Sequence, residues 1–485
     1  MDWLKFIFAA LPVILHWSIV LGLGTRIILS RRDIGTSLAW LTLVAIFPFI
    51  GAGLYLLIGE LWLARSRVRR TIIAGQQFDT QVKDLLPHET ELWSHELDVD
   101  RTLNAYATRG LGIPTLQGNR ITLFSKAHAT FDAMVRDIDN ATHTCHLLFY
   151  IWCPGGKADH IIEALIRARS RGVTCIVLLD AVGSRPFLNS PHAQTLRNAG
   201  VEVAAALPVG RLRSILERID LRNHRKIVAI DGRVAYCGSL NLADPAFFKQ
   251  NAKVGEWIDI MARVEGPAAR MLDLTILHDW YVETGRLELP RDEPIDWKEI
   301  EGKGSPLSVI SSGPGQWPRA TQDMILAMLY GARKEIIITT PYFVPGDIMM
   351  NALITAARCG VNVRIVLPAK VDSKLVRYAS RAYFDDLLQE GIEVLLFRSG
   401  LLHAKTVTVD RSVALLGSAN MDRRSFSVNF ETSMFIYDDA VTERIRDLQL
   451  EYIADADSID AAIWSRRHTG VRLVENAAQL LSPLL

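Results

Sequence analysis

Two stretches of the chain carry residue types that can handle phosphorus together. His224 and Lys226 are followed by Asp231, Gly238, Ser239 and Asn241; His403 and Lys405 are followed by Asp410, Gly417, Ser418 and Asn420. The spacing is the same in both: His-x-Lys, four residues, Asp, six residues, Gly-Ser-x-Asn. Ordinary strand residues do not repeat a whole frame in this way. An ammonium, a hydroxyl and an amide facing one point suit a phosphoryl oxyanion, and an imidazole beside them can act as nucleophile or acid. Each copy has one imidazole. Phosphodiester transfer through a covalent intermediate needs two, one neutral to attack and one protonated to expel the leaving oxygen. A histidine near its unperturbed pKa of about 6.5 can serve in either role once its neighbours bias it. Two copies meeting face to face would supply the pair.

The elements that position these residues are strands. Residues 227–230 and 406–409 are apolar and β-branched, so His224 and Lys226, two apart, share a face, as do His403 and Lys405. Asp231-Gly232 reads as a tight turn, and residues 234–237 as the returning strand that brings Ser239 and Asn241 back towards His224. Asp231 and Asp410 lie seven residues beyond their histidines, which fits turn and support better than contact with substrate.

A longer repeat surrounds the frame. Segments 145–150 and 335–340 read as strands, 161–171 and 348–359 as helices, 172–179 and 360–367 as strands again, and 200–203 answers 391–394. Strands alternating with helices at this pitch make each half an α/β layer structure. After each hairpin a carboxylate opens a further strand: Asp259 before 260–264, and Glu431 before 432–436.

The duplicated frame resembles the HKD motif of the phospholipase D superfamily. Within it the chain is similar to bacterial cardiolipin synthases of the two-motif type, with an N-terminal membrane hairpin. Residues 244–250, 255–259, 340–345 and the terminal 482–485 carry that likeness, which runs over nearly the whole chain. The resemblance implies two tandem α/β/α repeats forming one pseudo-twofold catalytic body behind a two-helix transmembrane hairpin. It implies a catalytic set of His224, Lys226, Asp231, His403, Lys405 and Asp410, with His224 as nucleophile and His403 as the acid that later acts as base. Ser239, Asn241, Ser418 and Asn420 are expected to bind substrate phosphate. Asp259 and Glu431 are expected to bond the motif histidines and fix their tautomer; solvation of a strand edge is the plainer reading of the same two carboxylates.

The N-terminus fits a membrane protein. Residues 3–29 are almost wholly apolar, and 38–58 form a second apolar run, each long enough for about 30 Å of hydrocarbon. A secretory signal would need a small-residue cleavage site, which the first run lacks, and would leave the second run unexplained. Lys5, Arg65, Arg67, Arg69 and Arg70 flank the pair and Arg26, Arg31 and Arg32 lie between. That balance places the termini and catalytic region in the cytoplasm of a multi-pass inner-membrane protein. The expected domains are 1–64 for the hairpin, 65–115 for a connector, 116–285 and 305–485 for the repeats, and 286–304 for their linker.

Composition narrows the chemistry further. A net charge of +1 offers no global basic surface, so no nucleic acid partner is expected. The five cysteines form no Cys-x-x-Cys pair and read as buried thiols in a reducing compartment. No metal-ligand spacing is present, so no metal or other cofactor is expected.

One segment distinguishes the halves. From Gly200 to His224 there are 24 positions, against 12 from Gly391 to His403. The extra stretch carries Leu212, Ile215, Leu216 and Ile219 at helical spacing, interleaved with Arg211, Arg213, Arg218 and Arg222. It fits either a helix in the headgroup layer or one packed on the protein body. The resemblance then implies transfer of a phosphatidyl group between two phosphatidylglycerol molecules, giving cardiolipin and glycerol. A phospholipase D hydrolase with water as acceptor is the alternative; a nuclease fits the charge poorly, and a lipid-binding protein without chemistry would not need the duplicated frame.

Overall fold

A computed structural model describes residues 2–30, 34–59, 63–83, 85–89, 98–209, 218, 220–288, 304–315 and 317–481. The chain forms two compact units, residues 1–65 with 209–221, and residues 66–208 with 222–485.

The first unit contains helices Asp2–Leu29, Ile34–Ile46 and Pro48–Leu54, the last running into a π-helical turn at Tyr55–Gly59. Among the described residues one helical stretch, Ala10–Leu29, is long and apolar enough to cross a membrane. The second apolar run is not one continuous span. Pro48 starts a new helix, since proline lacks the N–H that a helix interior needs and pushes the residue before it out of the helical region. Phe47 accordingly sits at φ −125°, ψ 69°. Ile27, Val44 and Tyr55 are buried together, and Trp40 meets Tyr55 edge to face at 5.3 Å. Of the basic stretch, residues 211–217 and 219 lie outside the described residues, as do 31–33 and 482–485. Arg218 forms a two-pronged ion pair with Asp220, at 2.5 and 2.8 Å.

The second unit is built on strands in two matching series. The first series is β1 (Leu116–Phe124), β2 (Thr144–Phe149), β3 (Thr174–Asp180), β4 (Glu202–Ala206), β5 (Lys226–Ile230), β6 (Val234–Gly238), β7 (Trp257–Ile258) and β8 (Met261–Glu265). The second is β9 (Ser305–Ser312), β10 (Glu335–Thr339), β11 (Phe343–Val344), β12 (Asn362–Pro368), β13 (Glu393–Phe397), β14 (Leu401–Leu402), β15 (Thr406–Val409), β16 (Val413–Gly417), β17 (Met421–Asp422) and β18 (Glu431–Ile436), with β19 (Ala456–Ser458) added at the edge.

Fifteen of these form one sheet, in the order β19-β13-β12-β10-β15-β16-β18-β9-β1-β8-β6-β5-β2-β3-β4. The order reads the same outward from the β9–β1 seam in both directions, which is the pseudo-twofold axis of the fold. Asn119 fastens the seam: its amide donates to the carbonyls of Leu116 and Ser305, and its oxygen accepts from the Ala268 amide.

Helices cover both faces, as expected for strands that are apolar end to end. Helices Ala127–Asp139 and Asp159–Ser170 pack in one core on the first repeat, with Phe131, Leu147 and Leu165 buried there. Helices Ala320–Gly331 and Asp347–Arg358 serve the second repeat in the same way. On the other face, helix Pro267–Thr284 lies in a core shared by both repeats, with Leu272, Trp280, Leu307 and Met434. In the connecting region, helix Arg65–Lys83 lays Arg67 against Glu283 and Arg70 on the Val282 carbonyl. All five cysteines are free; Cys145, Cys175 and Cys237 are buried, Cys153 is half-buried, and Cys359 is exposed where its helix ends.

Candidate active site

Each motif hairpin closes on a two-residue turn whose central residues both have positive φ, Asp231 (53°) with Gly232 (63°) and Asp410 (52°) with Arg411 (63°). That geometry suits the twist of paired strands. Asp231 does not reach the site. Its carboxylate accepts from the amides of Thr142, His143 and Thr144, tying the turn to the start of β2. Asp410 does the same with Arg333, Lys334 and Glu335 at β10. Both lie at the far end of a strand from their histidine, roughly 20 Å at strand rise. They are support residues, and the place given them in the catalytic set is corrected accordingly.

At the other end of these strands the two halves exchange partners. The His224 amide donates to the carbonyl of Phe430, in the second repeat, and the His403 amide to that of Ile258, in the first. The side chains cross as well. Nδ1 of His224 lies 3.0 Å from both oxygens of Glu431, and Nδ1 of His403 lies 2.6 Å from Asp259. Each motif histidine is therefore oriented by the carboxylate of the opposite repeat. An ionised carboxylate at Nδ1 holds the proton there and leaves Nε2 with its lone pair.

Ser239 and Ser418 explain how the carboxylates are held. The Ser239 hydroxyl donates to Asp259 at 2.6 Å, and the Ser418 hydroxyl to Glu431 at 2.5 Å. The motif spacing alone aims these hydroxyls at phosphate; instead their hydrogens go to the histidine's partner. The glycine before each serine permits this. A Cβ on Gly238 would sit 2.4 Å from the Ile260 carbonyl, and one on Gly417 would sit 2.5 Å from that of Thr432.

Lys226 and Lys405 are fully buried, each donating to the carbonyl of its own histidine, at 2.6 and 2.5 Å. Asn241 accepts from the Ile151 amide through Oδ1, whereas Oδ1 of Asn420 is buried with no partner. Aromatic walls complete the pocket: Tyr150 meets the His224 ring at 4.9 Å and Trp257 meets His403 at 4.6 Å. Behind His224, Arg225 is wholly buried and bonds Asp279, the Glu431 carbonyl and the Ser312 carbonyl. Ala404 holds the corresponding place in the second motif, so this brace belongs to one half alone.

Burial shapes the electrostatics. It lowers His224 and His403 to about 4 each, against the pull of Glu431 and Asp259. It likewise lowers Lys226 to about 8 and Lys405 to about 7. Burial pushes Asp259 and Glu431 upward, but their histidine partners, the lysines and the serine bonds more than offset it, so both stay ionised. The site thus has two ready acceptor imidazoles and two lysines whose charge is easily lost. An arriving phosphodiester anion would favour protonation of all four.

Comparison with known proteins agrees with this arrangement. The family described as cardiolipin synthase, phospholipase D-like domain, matches residues 134–260 and again 325–450. A family described as phospholipase D-nuclease N-terminal matches residues 19–60. Cardiolipin synthase A of Erwinia tasmaniensis is 42% identical over 97% of this chain and 97% of its own length. The chain belongs to the cardiolipin synthase family. Cardiolipin synthase A of Yersinia pseudotuberculosis is 40% identical over 98% of both chains. The fold is shared with the crystal structure of phosphatidylserine synthase from Haemophilus influenzae, at TM-score 0.59 and 15% identity, over 81% of this chain and 100% of that one. The two matched family segments contain both motif histidines, both lysines and both crossed carboxylates.

Sequence reasoning found the histidines, lysines, serines, asparagines and carboxylates that meet here. It did not find Tyr150, Arg225, Asp279 or the exchange of carboxylates between halves. Trp257 stood in a quoted segment, with no signal of its packing on His403.

Proposed function

We propose that this chain is a membrane-bound phosphatidyltransferase that makes cardiolipin and glycerol from two molecules of phosphatidylglycerol. The observation that carries the reading is the crossed pair, His224 on Glu431 and His403 on Asp259, in a site with two buried lysines. Family membership supports the substrate and the product.

In the first step Nε2 of neutral His224 attacks the phosphorus of one phosphatidylglycerol. A P–N bond forms and the P–O bond to the glycerol headgroup breaks. His403, protonated as the phosphodiester enters, gives its proton to the departing glycerol oxygen. In the second step neutral His403 takes the proton from a hydroxyl of the second phosphatidylglycerol. That oxygen attacks phosphorus, the P–N bond breaks, and His224 returns to its starting form. Lys226, Lys405, Asn241 and Asn420 hold the phosphoryl oxygens while charge builds on them. The assignment of His224 as nucleophile follows the family resemblance. The N-terminal region anchors the enzyme in the inner membrane as a multi-pass segment, with the catalytic unit on the cytoplasmic side.

The test is incubation of the purified full-length protein with phosphatidylglycerol alone, with all products identified. Cardiolipin and glycerol in equal amounts are expected, and added glycerol should drive the reaction backwards. Phosphatidic acid as the main product in intact bilayers would favour the hydrolase instead.

A further inference from the structure

Helix Thr469–Leu480 is docked the wrong way round for a soluble protein. The side that faces the body carries Glu475, fully buried, which accepts from Arg381 at 2.7 Å and from Arg467 at 2.9 Å. Trp464 lies beneath both guanidinium groups, at 4.6 and 4.3 Å. The outward side is apolar. At 100° per residue, Gly470, Leu473, Val474, Ala477, Leu480 and Leu481 fall on one stripe, and every one is exposed. Leu473 is 70% exposed and Leu480 82%, and Ile463 just before the helix is 73% exposed. Burying those leucines would have removed apolar surface from water. The chain buries a glutamate in their place.

The neighbouring helix continues the pattern. Lys374–Arg381 is joined to Thr469–Leu480 through the Arg381–Glu475 bond, and it exposes Leu375 and Tyr378 beside Lys374 and Arg377. Arg466 and Arg472 are exposed beside the apolar stripe, Arg472 also lying 3.8 Å from the Asp385 carboxylate. This helix also leads straight to the site. Asp372, two residues before it, bonds Lys249 at 3.0 Å and Tyr342 at 2.7 Å. The Lys249 ammonium sits 5.1 Å over Trp257, whose ring packs on His403.

We infer that the outward faces of these two helices form a surface that seats on an anionic phospholipid bilayer and brings lipid to the His403 side of the site. Exposed leucines with basic side chains and a tyrosine beside them are the composition that enters the headgroup layer. The cations give the face the sign that complements phosphatidylglycerol, so the occupant is lipid of the substrate's own class. The inference rests on the lipid-transfer reading above, and its test separates the two.

The experiment uses the full-length protein in nanodiscs containing phosphatidylglycerol. Cys359→Ser removes the exposed thiol, and Leu473→Cys carries a polarity-sensitive fluorophore. Quenching of at least twofold by nitroxide-bearing acyl chains, with a blue-shifted emission, is expected. Arg466→Gln and Arg472→Gln should each weaken that contact about fivefold on anionic lipid. Leu473→Glu with Leu480→Glu should cut turnover at least tenfold in bilayers and less than twofold on detergent-dispersed lipid; equal loss in both overturns the surface. An unquenched probe in nanodiscs that form cardiolipin also overturns it and leaves the reaction standing. A quenched probe in a preparation that forms none supports the surface and overturns the reaction. Disulfide cross-linking between two copies of the unlabelled Leu473→Cys variant, with quenching of the labelled one absent, would assign the stripe to a second copy and sink the proposal.

Discussion

Nδ1 of His224 stands 3.0 Å from both oxygens of Glu431, a residue 207 positions later and in the other repeat. The mirror relationship, His403 with Asp259, spans 144 positions. Neither half can orient its own histidine. A single repeat by itself would leave a buried imidazole and a buried carboxylate without their hydrogen-bond partners. Glu431→Gln and Asp259→Asn keep the shape and a hydrogen bond but remove the charge. Each should lower kcat about 10–100-fold, the cost typical of losing such an orienting partner, with Tm nearly unchanged. A loss confined to KM would argue that the carboxylates touch substrate directly.

Removal of either imidazole should stop turnover while the protein stays folded. His224→Ala and His403→Ala each leave a small space and an ionised carboxylate that keeps its serine bond. Near-normal turnover in either variant would end the two-histidine mechanism. A quenched reaction should also yield a phospho-adduct that maps to His224 by peptide mass. Mapping to His403 would reverse the roles and leave the rest of the site intact.

Asp231 and Asp410 offer a contrast within the same motif. Each carboxylate satisfies three backbone amides at a turn, far from the imidazoles. Asp231→Ala leaves those donors without their acceptor and should cost about 1–3 kcal/mol of stability. At a temperature where the variant is folded, its kcat should stay within a few-fold of the parent. A drop of a thousandfold with unchanged Tm would return Asp231 to the catalytic set.

Much of this was legible beforehand because local patterns carry it. The hairpin turns, the matched strands and helices, and the His-x-Lys faces follow from period-2 alternation and turn residues close in sequence. Segment 161–171 proves to be helix Asp159–Ser170, and 348–359 proves to be Asp347–Arg358. The exchange between Glu431 and Asp259 was not legible, since no local spacing says which repeat a side chain will cross into. The serines misled for the same reason: only the approach of β8 and β18 to the motif glycines shows that Ser239 and Ser418 face carboxylates. The break in the second apolar run was not legible from hydropathy, because Pro48 starts a new helix without changing that average.

Chelation should leave activity unchanged. The charge that would meet the phosphate comes from Lys226 and Lys405, and among the described residues no group of three histidine, cysteine or carboxylate side chains is placed to hold a metal ion. A loss on EDTA treatment that divalent ions restore would show that a metal takes part.

The pH dependence follows from the burial of four groups in one site. His224 and His403 are lowered to about 4, so both are neutral above that value in the free enzyme. Protonation of His224 at lower pH removes the attacking lone pair, which places the acid limb of kcat/KM near that same value of about 4 and well below the ordinary imidazole range. Lys405 at about 7 and Lys226 at about 8 lose their charge as pH rises, and with it their hold on phosphate. His403 must also take up a proton to act as the acid, so kcat/KM already declines above about 4 and steepens as the lysines lose their charge, which puts its optimum well below neutrality, since that quantity reports the free enzyme. The optimum of kcat should lie higher, because bound phosphodiester raises all four groups. Stability moves in a related way. The folded histidines bind fewer protons than unfolded ones between about 4 and about 6.5, so their contribution is present above about 6.5 and is lost as pH falls through about 4. Lys405→Arg provides the decisive variant, for a guanidinium does not titrate in this range. It should remove the steepening near 7 and leave the one set by Lys226 near 8, even if kcat falls. An alkaline limb that stays in place would show that the buried lysines do not set it.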